Sequence, residues 1–196
     1  MLKLFPKVLF PTKKNTGFTI IELLIGIVII GLLIAISSPN LREFIVQLRV
    51  DNEVSSLHRL ILSARNVAIN SGKNVTLCPL NGNTCGTNWH NELSVFTNSN
   101  NTLIDNKTYD VTQEAIIKIK AGINNGDSLT FSQSIIIFSP TGRLLSGGNG
   151  RFSYCPKDNS EASRGIEISL SGRVYATSDT DSDGTDENRN GMDVSC

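Results

Sequence analysis

The chain has 196 residues, 39% of them hydrophobic, with 18 Lys+Arg against 18 Asp+Glu. That length fits one modest domain with an appendage, and that apolar share excludes a chain disordered throughout. Zero net charge excludes a protein held to nucleic acid by bulk charge, and no Walker loop, GxSxG elbow or HExxH helix is present.

The neutral total hides a sorted distribution. Lys3, Lys7, Lys13 and Lys14 stand in the first 17 residues with no acid among them. Asp179, Asp181, Asp183, Asp186, Glu187 and Asp193 crowd the end of the chain against one base, Arg189. From Leu23 to Leu41 no residue is charged, a run of roughly 19 residues and so about the length a helix needs to cross a bilayer. The lysines before it stay in the cytoplasm by the positive-inside rule, which puts the rest of the chain outside. A cleaved secretory signal is the alternative, with Ala35-Ile36-Ser37 as a poor cleavage site. Glu22 is the anomaly, because a carboxylate at the edge of a membrane helix is costly and marks function by default.

Gly17-Phe18-Thr19-Ile20-Ile21-Glu22 resembles the prepilin processing site of type IV pilins and type II secretion pseudopilins. The resemblance implies a leader of residues 1–17, cleavage after Gly17 by a prepilin peptidase, and methylation of the new amino group on Phe18. It places Glu22 where the family carries its assembly glutamate, and Pro39 where many pilins carry a helix-bending proline. A free amine in an apolar filament core is an uncompensated charge, and a carboxylate offers it an ion pair.

After Pro39 the pattern turns amphipathic. Leu41, Ile45, Leu48, Val54, Leu57, Ile61, Ala64 and Ala68 recur at helical intervals, with charged residues between them. This predicts one helix from about Thr19 to Asn70, divided into a membrane and filament-core half, 18–41, and an amphipathic half, 42–71. Ser71-Gly72 stops it. Beyond Gly72 the chain reads as short strands: Asn74–Cys78, Leu93–Thr97, Gln113–Ala121, Ser128–Phe131, Ile135–Ser139, Arg164–Leu170 and Arg173–Ala176. Asn81-Gly82, Asn125-Gly126, Pro140-Thr141-Gly142 and Gly147-Gly148-Asn149-Gly150 are turns. The expected fold is α+β: a long N-terminal helix packed on an antiparallel β-sheet head, 72–196, with an acidic tail.

The head resembles the GspH/FimT branch of the pilin-like proteins. The carrying strings are Ala64-Arg65-Asn66-Val67-Ala68, Val75-Thr76-Leu77-Cys78-Pro79, and Trp89 followed by Val95-Phe96-Thr97-Asn98. Phe138-Ser139-Pro140-Thr141-Gly142, Arg164-Gly165-Ile166-Glu167-Ile168 and Gly172-Arg173-Val174 complete the order. The branch holds H-type pseudopilins and the FimT and FimU minor pilins. It implies a non-enzymatic subunit at the inner membrane with a periplasmic head, later part of a pilus or pseudopilus. Its partners are other minor and major pilins, the prepilin peptidase and the inner-membrane assembly platform. The leading expectation is a FimU-like structural minor pilin; the alternatives are a FimT-like DNA receptor for transformation and a pseudopilin of type II secretion.

Four cysteines in an exported head point to two disulfides among three connectivities. Cys78 and Cys85 flank Asn81-Gly82 and can close a small loop, which leaves Cys155 for Cys196. The Cys78–Cys85 spacing does not suit a zinc knuckle. His58 and His90 stand in no nucleophile motif and read as surface residues. Asp179-Thr180-Asp181-Ser182-Asp183-Gly184 matches the first half of a DxDxDG calcium loop, with Glu187 a further ligand. The twelfth position is Asn190, not the bidentate Glu, so calcium binding is expected to be weak and a solvated acidic loop is the alternative. In DNA receptors of this branch the resemblance implies a GRxR motif. Here Gly172-Arg173-Val174-Tyr175 keeps Arg173 and puts Tyr175 at the second arginine. With only Arg143, Arg151, Arg164 and Arg173 at hand and the tail acids downstream, weak or absent DNA binding is expected.

Overall fold

A continuous apolar run followed by an amphipathic one makes helix α1, Ile20–Ser71, and Gly72 in the left-handed region (φ 66°) ends it. This computed structural model describes residues 17–99, 107–145, 149–157 and 159–196, with the backbone alone over 36–40. The leader lysines and the Gly147-Gly148 part of the expected turn lie outside the described residues, as does the Pro39 side chain. The chain divides after Leu41 into two units.

In the first unit Ile20, Leu23, Ile27, Ile30 and Leu33 are more than half exposed, and their neighbours are similar. Among the described residues no helix is long and apolar enough to cross a membrane. The side chains of 36–40, within the apolar run of the sequence, lie outside the described residues.

In the second unit, nine strands follow the helix among the described residues: β1 (Val75–Asn81), β2 (Thr84–Cys85), β3 (Leu93–Thr97), β4 (Ile116–Lys120), β5 (Ser128–Phe131), β6 (Ile136–Phe138), β7 (Gly150–Cys155), β8 (Arg164–Ile168) and β9 (Val174–Ala176). They form two antiparallel sheets rather than one. The first has the order β2-β1-β3-β4, with β6 also pairing β1. The second is β5-β7-β8-β9. Strand alternation in a sequence identifies strands and their faces but not their partners, which is why the split was not foreseen.

Both sheets close on one face of α1. Val50, Leu57, Leu60, Ile61, Ala64 and Ala68 share a core with Val75, Leu77 and Val95 of the first sheet and Phe152, Tyr154, Ile166 and Ile168 of the second. Trp89 stands edge-on to Phe131 (4.9 Å) and Phe152 (5.1 Å) and donates its indole N–H to the Gln133 carbonyl. A smaller cluster of Cys78, Phe96, Ile135 and Ile137 covers the other face of β1. The expected helical stripe needs one correction. Leu41, Ile45 and Leu48 keep its period but are 56%, 55% and 46% exposed, because the core on α1 begins near Val50.

Two glycines explain two of the sequence strings. Gly142 and Gly172 both have positive φ, 74° and 76°, and a Cβ on Gly172 would collide with the Gly142 carbonyl. The same carbonyl accepts a 3.0 Å bond from Arg65 Nε on α1. Two turns from different sheets thus lock onto one helical arginine, and only glycine leaves the room.

Cys78–Cys85 joins β1 to β2, and Cys155–Cys196 joins the end of β7 to the last residue; no cysteine is free.

Candidate functional site

The N-terminal motif opens α1. Gly17, Phe18 and Thr19 precede the helix and Phe18 is 88% exposed. Glu22 Oε2 accepts from the Thr19 backbone N–H and hydroxyl, both at 2.9 Å, while the Glu22 N–H donates to Thr19 Oγ1 at 3.3 Å. This is a capping box, with Thr19 as N-cap and Glu22 at N3. The sequence reading gave Glu22 an assembly role alone; the Thr-x-x-Glu spacing carried the second role in plain view. In the first unit the large apolar side chains from Phe18 to Ile34 are about half exposed or more; in the second, Phe44, Ile45 and Leu48 are about half exposed, while Val46 packs against the core.

Arg173 enters β9 beside Tyr175, and Arg189 of the tail stacks 4.1 Å from the centre of the Tyr175 ring. The Arg173 hydrogen bond, then the nearby guanidinium charges, hold the Tyr175 phenol below its ordinary range. Sequence reasoning saw Arg189 only as the single base of an acidic tail. Tyr175 and Arg189 line a cleft of about 560 Å³ with Arg151, Glu167 and Asn149. Of the four arginines at hand for phosphate, two are occupied by acids. Arg151 pairs with Glu167 at 3.2 Å, and Arg164 pairs with Asp186 at 3.1 Å and with Asp51 of α1 at 3.7 Å. His58 is half-buried on α1; His90 is exposed and its Nδ1 lies 2.7 Å from Asn88 Oδ1.

The acidic loop folds onto the end of the chain. Asp179 Oδ1 and Oδ2 accept the Ser182 and Gly184 N–H groups, and Asp183 Oδ1 accepts that of Thr185. Glu187 pairs its backbone with Ser178 and Asp193. Asp186 is buried, receives the Thr177 hydroxyl at 2.7 Å, and is held above its ordinary value by desolvation. Asp179, Asp181, Asp183 and Glu187 each place a carboxylate oxygen within 4.8 Å of the others.

A prepilin-like motif at the mouth of a long helix, and an α+β head built on that helix, define a pilin-type subunit. The chain belongs to the GspH family: the family model described as type II transport protein GspH matches residues 53–172, and one described as the prokaryotic N-terminal methylation motif matches residues 12–38. Two crystal forms of the type IV minor pilin FimU of Pseudomonas aeruginosa (strain PAO1) are similar in fold, each with a TM-score of 0.51 at 16% identity. They cover 64% of this chain and 86% of that one, and 65% and 92%, respectively. The minor pseudopilin EpsH of the Vibrio cholerae type 2 secretion system matches with a TM-score of 0.44 at 12% identity, over 65% of this chain and 95% of that one. No curated protein matches the chain. The chain is thus a GspH-family protein that carries an N-terminal methylation motif and folds as a pilin does.

Proposed function

We propose that the protein is a minor pilin of a type IV pilus, a FimU-like subunit of the complex that initiates the filament or caps its tip. The observation that carries this reading is the exposed apolar surface of α1 from Phe18 to Ile34. Such a surface has no stable place in water. In the inner membrane it is solvated by lipid, and in a filament by the equivalent helices of other pilins. The head stays in the periplasm and offers its outer faces to neighbouring minor and major pilins. In the second unit Ile45 and Leu48 are also left uncovered, which leaves them free for lateral packing.

Processing after Gly17 leaves a methylated amine on Phe18. Glu22 lies one helical turn away, on the same subunit or its neighbour, and its carboxylate compensates that amine as water is excluded. Docking is then favoured in one axial register. Arg151 and Arg164 are committed to Glu167 and Asp186, which supports a structural role over DNA uptake. The family description supports a second reading, a pseudopilin of type II secretion. Deletion of the gene separates the two: lost surface piliation with intact secretion is expected, and the reverse assigns the secretion system.

Glu22→Ala and Glu22→Gln test the mechanism. Glutamine keeps the capping box and removes the charge. Both variants are expected to be processed and to fall at least about tenfold in sheared filaments, since loss of a desolvated ion pair costs about 1.4 kcal/mol or more. Immunoblots of filament and membrane fractions give the ratio. Wild-type incorporation of the Gln variant would reduce Glu22 to a helix cap.

A further inference from the structure

The filament reading leaves the loop after β9 without a task. We propose that this loop is a calcium site, with Asp179, Asp181, Asp183 and Glu187 as its carboxylate ligands. One oxygen from each lies within 4.8 Å of the other three. Oxygens bound to a shared calcium at about 2.3–2.6 Å stand no more than about 5.2 Å apart, and every pair in this cluster meets that bound. Magnesium, which demands a strict octahedron at about 2.0–2.1 Å and keeps several of its waters, suits a set of four carboxylates less well.

Three exposed aspartates alone make a solvated acidic turn. Glu187 separates the two cases. It is only 6% exposed, yet it belongs to the cluster. Its Oε2 accepts the Thr180 N–H and hydroxyl, both at 2.6 Å, while Oε1 is buried with no hydrogen-bond partner. A buried carboxylate oxygen without a donor is costly, and three more carboxylates in the same cluster raise that cost. A divalent cation supplies the missing partner and halves the local negative charge.

The position of Glu187 also answers the missing twelfth-position glutamate. Counting from Asp179 it is the ninth residue, and the chain turns it inward where Asn190 has no carboxylate to offer. The Glu187 backbone bridges Ser178 and Asp193, close to the Cys196–Cys155 bond. An ion bound here therefore fixes the end of the chain on the second sheet.

Full-length protein in detergent, stripped with EDTA and titrated with calcium chloride by calorimetry, tests the site. One ion per chain is expected, with a dissociation constant of about 0.1–1 mM, the range of extracellular calcium modules. At 10 mM calcium the melting temperature is expected to rise by about 3–10 °C, and by much less at 10 mM magnesium. The double variant Asp181→Asn/Asp183→Asn changes exposed side chains only, so its near-ultraviolet circular dichroism in EDTA should equal that of the wild type while its calcium response is lost. Glu187→Gln should bind calcium at least about tenfold more weakly and melt no lower than the wild type in EDTA. Absence of calcium heat and of a melting shift overturns the proposal. So does an equal response to magnesium, or an unchanged calcium response in the double variant.

Discussion

Replacing Asp127 by alanine is expected to cost the protein about 3 kcal/mol, at the lower end of what breaking a buried ion pair costs. The Asp127 side chain is 1% exposed and joins three parts of the second unit. Oδ1 accepts from Arg49 Nη2 on α1 at 3.2 Å and from the Lys157 N–H at 2.9 Å; Oδ2 accepts the Tyr154 hydroxyl at 2.5 Å. Burial first, then the bond and charge of Asp127, hold the Tyr154 phenol above its ordinary range. Alanine would strand that hydroxyl and a guanidinium whose Nε already lacks a partner. The Arg49 side chain is 32% exposed, and the water reaching it sets the effect at the low end. Urea unfolding of the full chain, followed by circular dichroism, measures the loss. A change under about 1 kcal/mol would mean that Asp127 does not hold the helix to the sheets.

The pair Cys155→Ser/Cys196→Ser is expected to be more damaging still, at about 4 kcal/mol, against roughly 2.5 kcal/mol for Cys78→Ser/Cys85→Ser. The reason is loop length: the bonded cysteines are 41 and 7 residues apart. A bond closing the longer loop removes more freedom from the unfolded chain. The long loop holds β8, β9 and the acidic segment, so its release should also open the tail to proteases. Without the bond the tail keeps its ties through Asp186, to the Thr177 hydroxyl at 2.7 Å and to Arg164 at 3.1 Å, while the residues after Asp193 lose their covalent anchor. Melts of the two double variants under identical conditions give the order. An inverted order would contradict the account of the tail as a pinned element.

Much of this fold was legible in the residues. The helix was expected over Thr19–Asn70 and runs Ile20–Ser71; Leu93–Thr97 and Ser128–Phe131 are strands β3 and β5 with the expected ends. These segments combine clear periodicity with clear stops. The largest omission is β7, the partner of both β5 and β8. Its first residue belongs to a glycine-rich string that signals a turn. Gly150 is nevertheless in the strand, because the Phe131 ring lies where a Cβ would be. Strand β2 is two residues long and held by the Cys78–Cys85 bond, so no local pattern announces it.

The sites divide the same way. The processing string was readable because it is contiguous, and so was the aspartate ladder of the acidic loop. Arg189 on Tyr175, and the inward turn of Glu187, are products of tertiary folding. Asp127 sat unremarked beside Asn125-Gly126, because a buried carboxylate looks the same in sequence as an exposed one. The periodic stripe through Leu41, Ile45 and Leu48 named a helix face and could not say what would cover it.

The account rests on the chain being a processed, membrane-inserted filament subunit. The most direct measurement is the intact mass and N-terminal sequence of the protein recovered from cells with an active prepilin peptidase. The account predicts a chain that begins at Phe18 with one added methyl group. A chain that keeps Met1, or begins anywhere else, would contradict it.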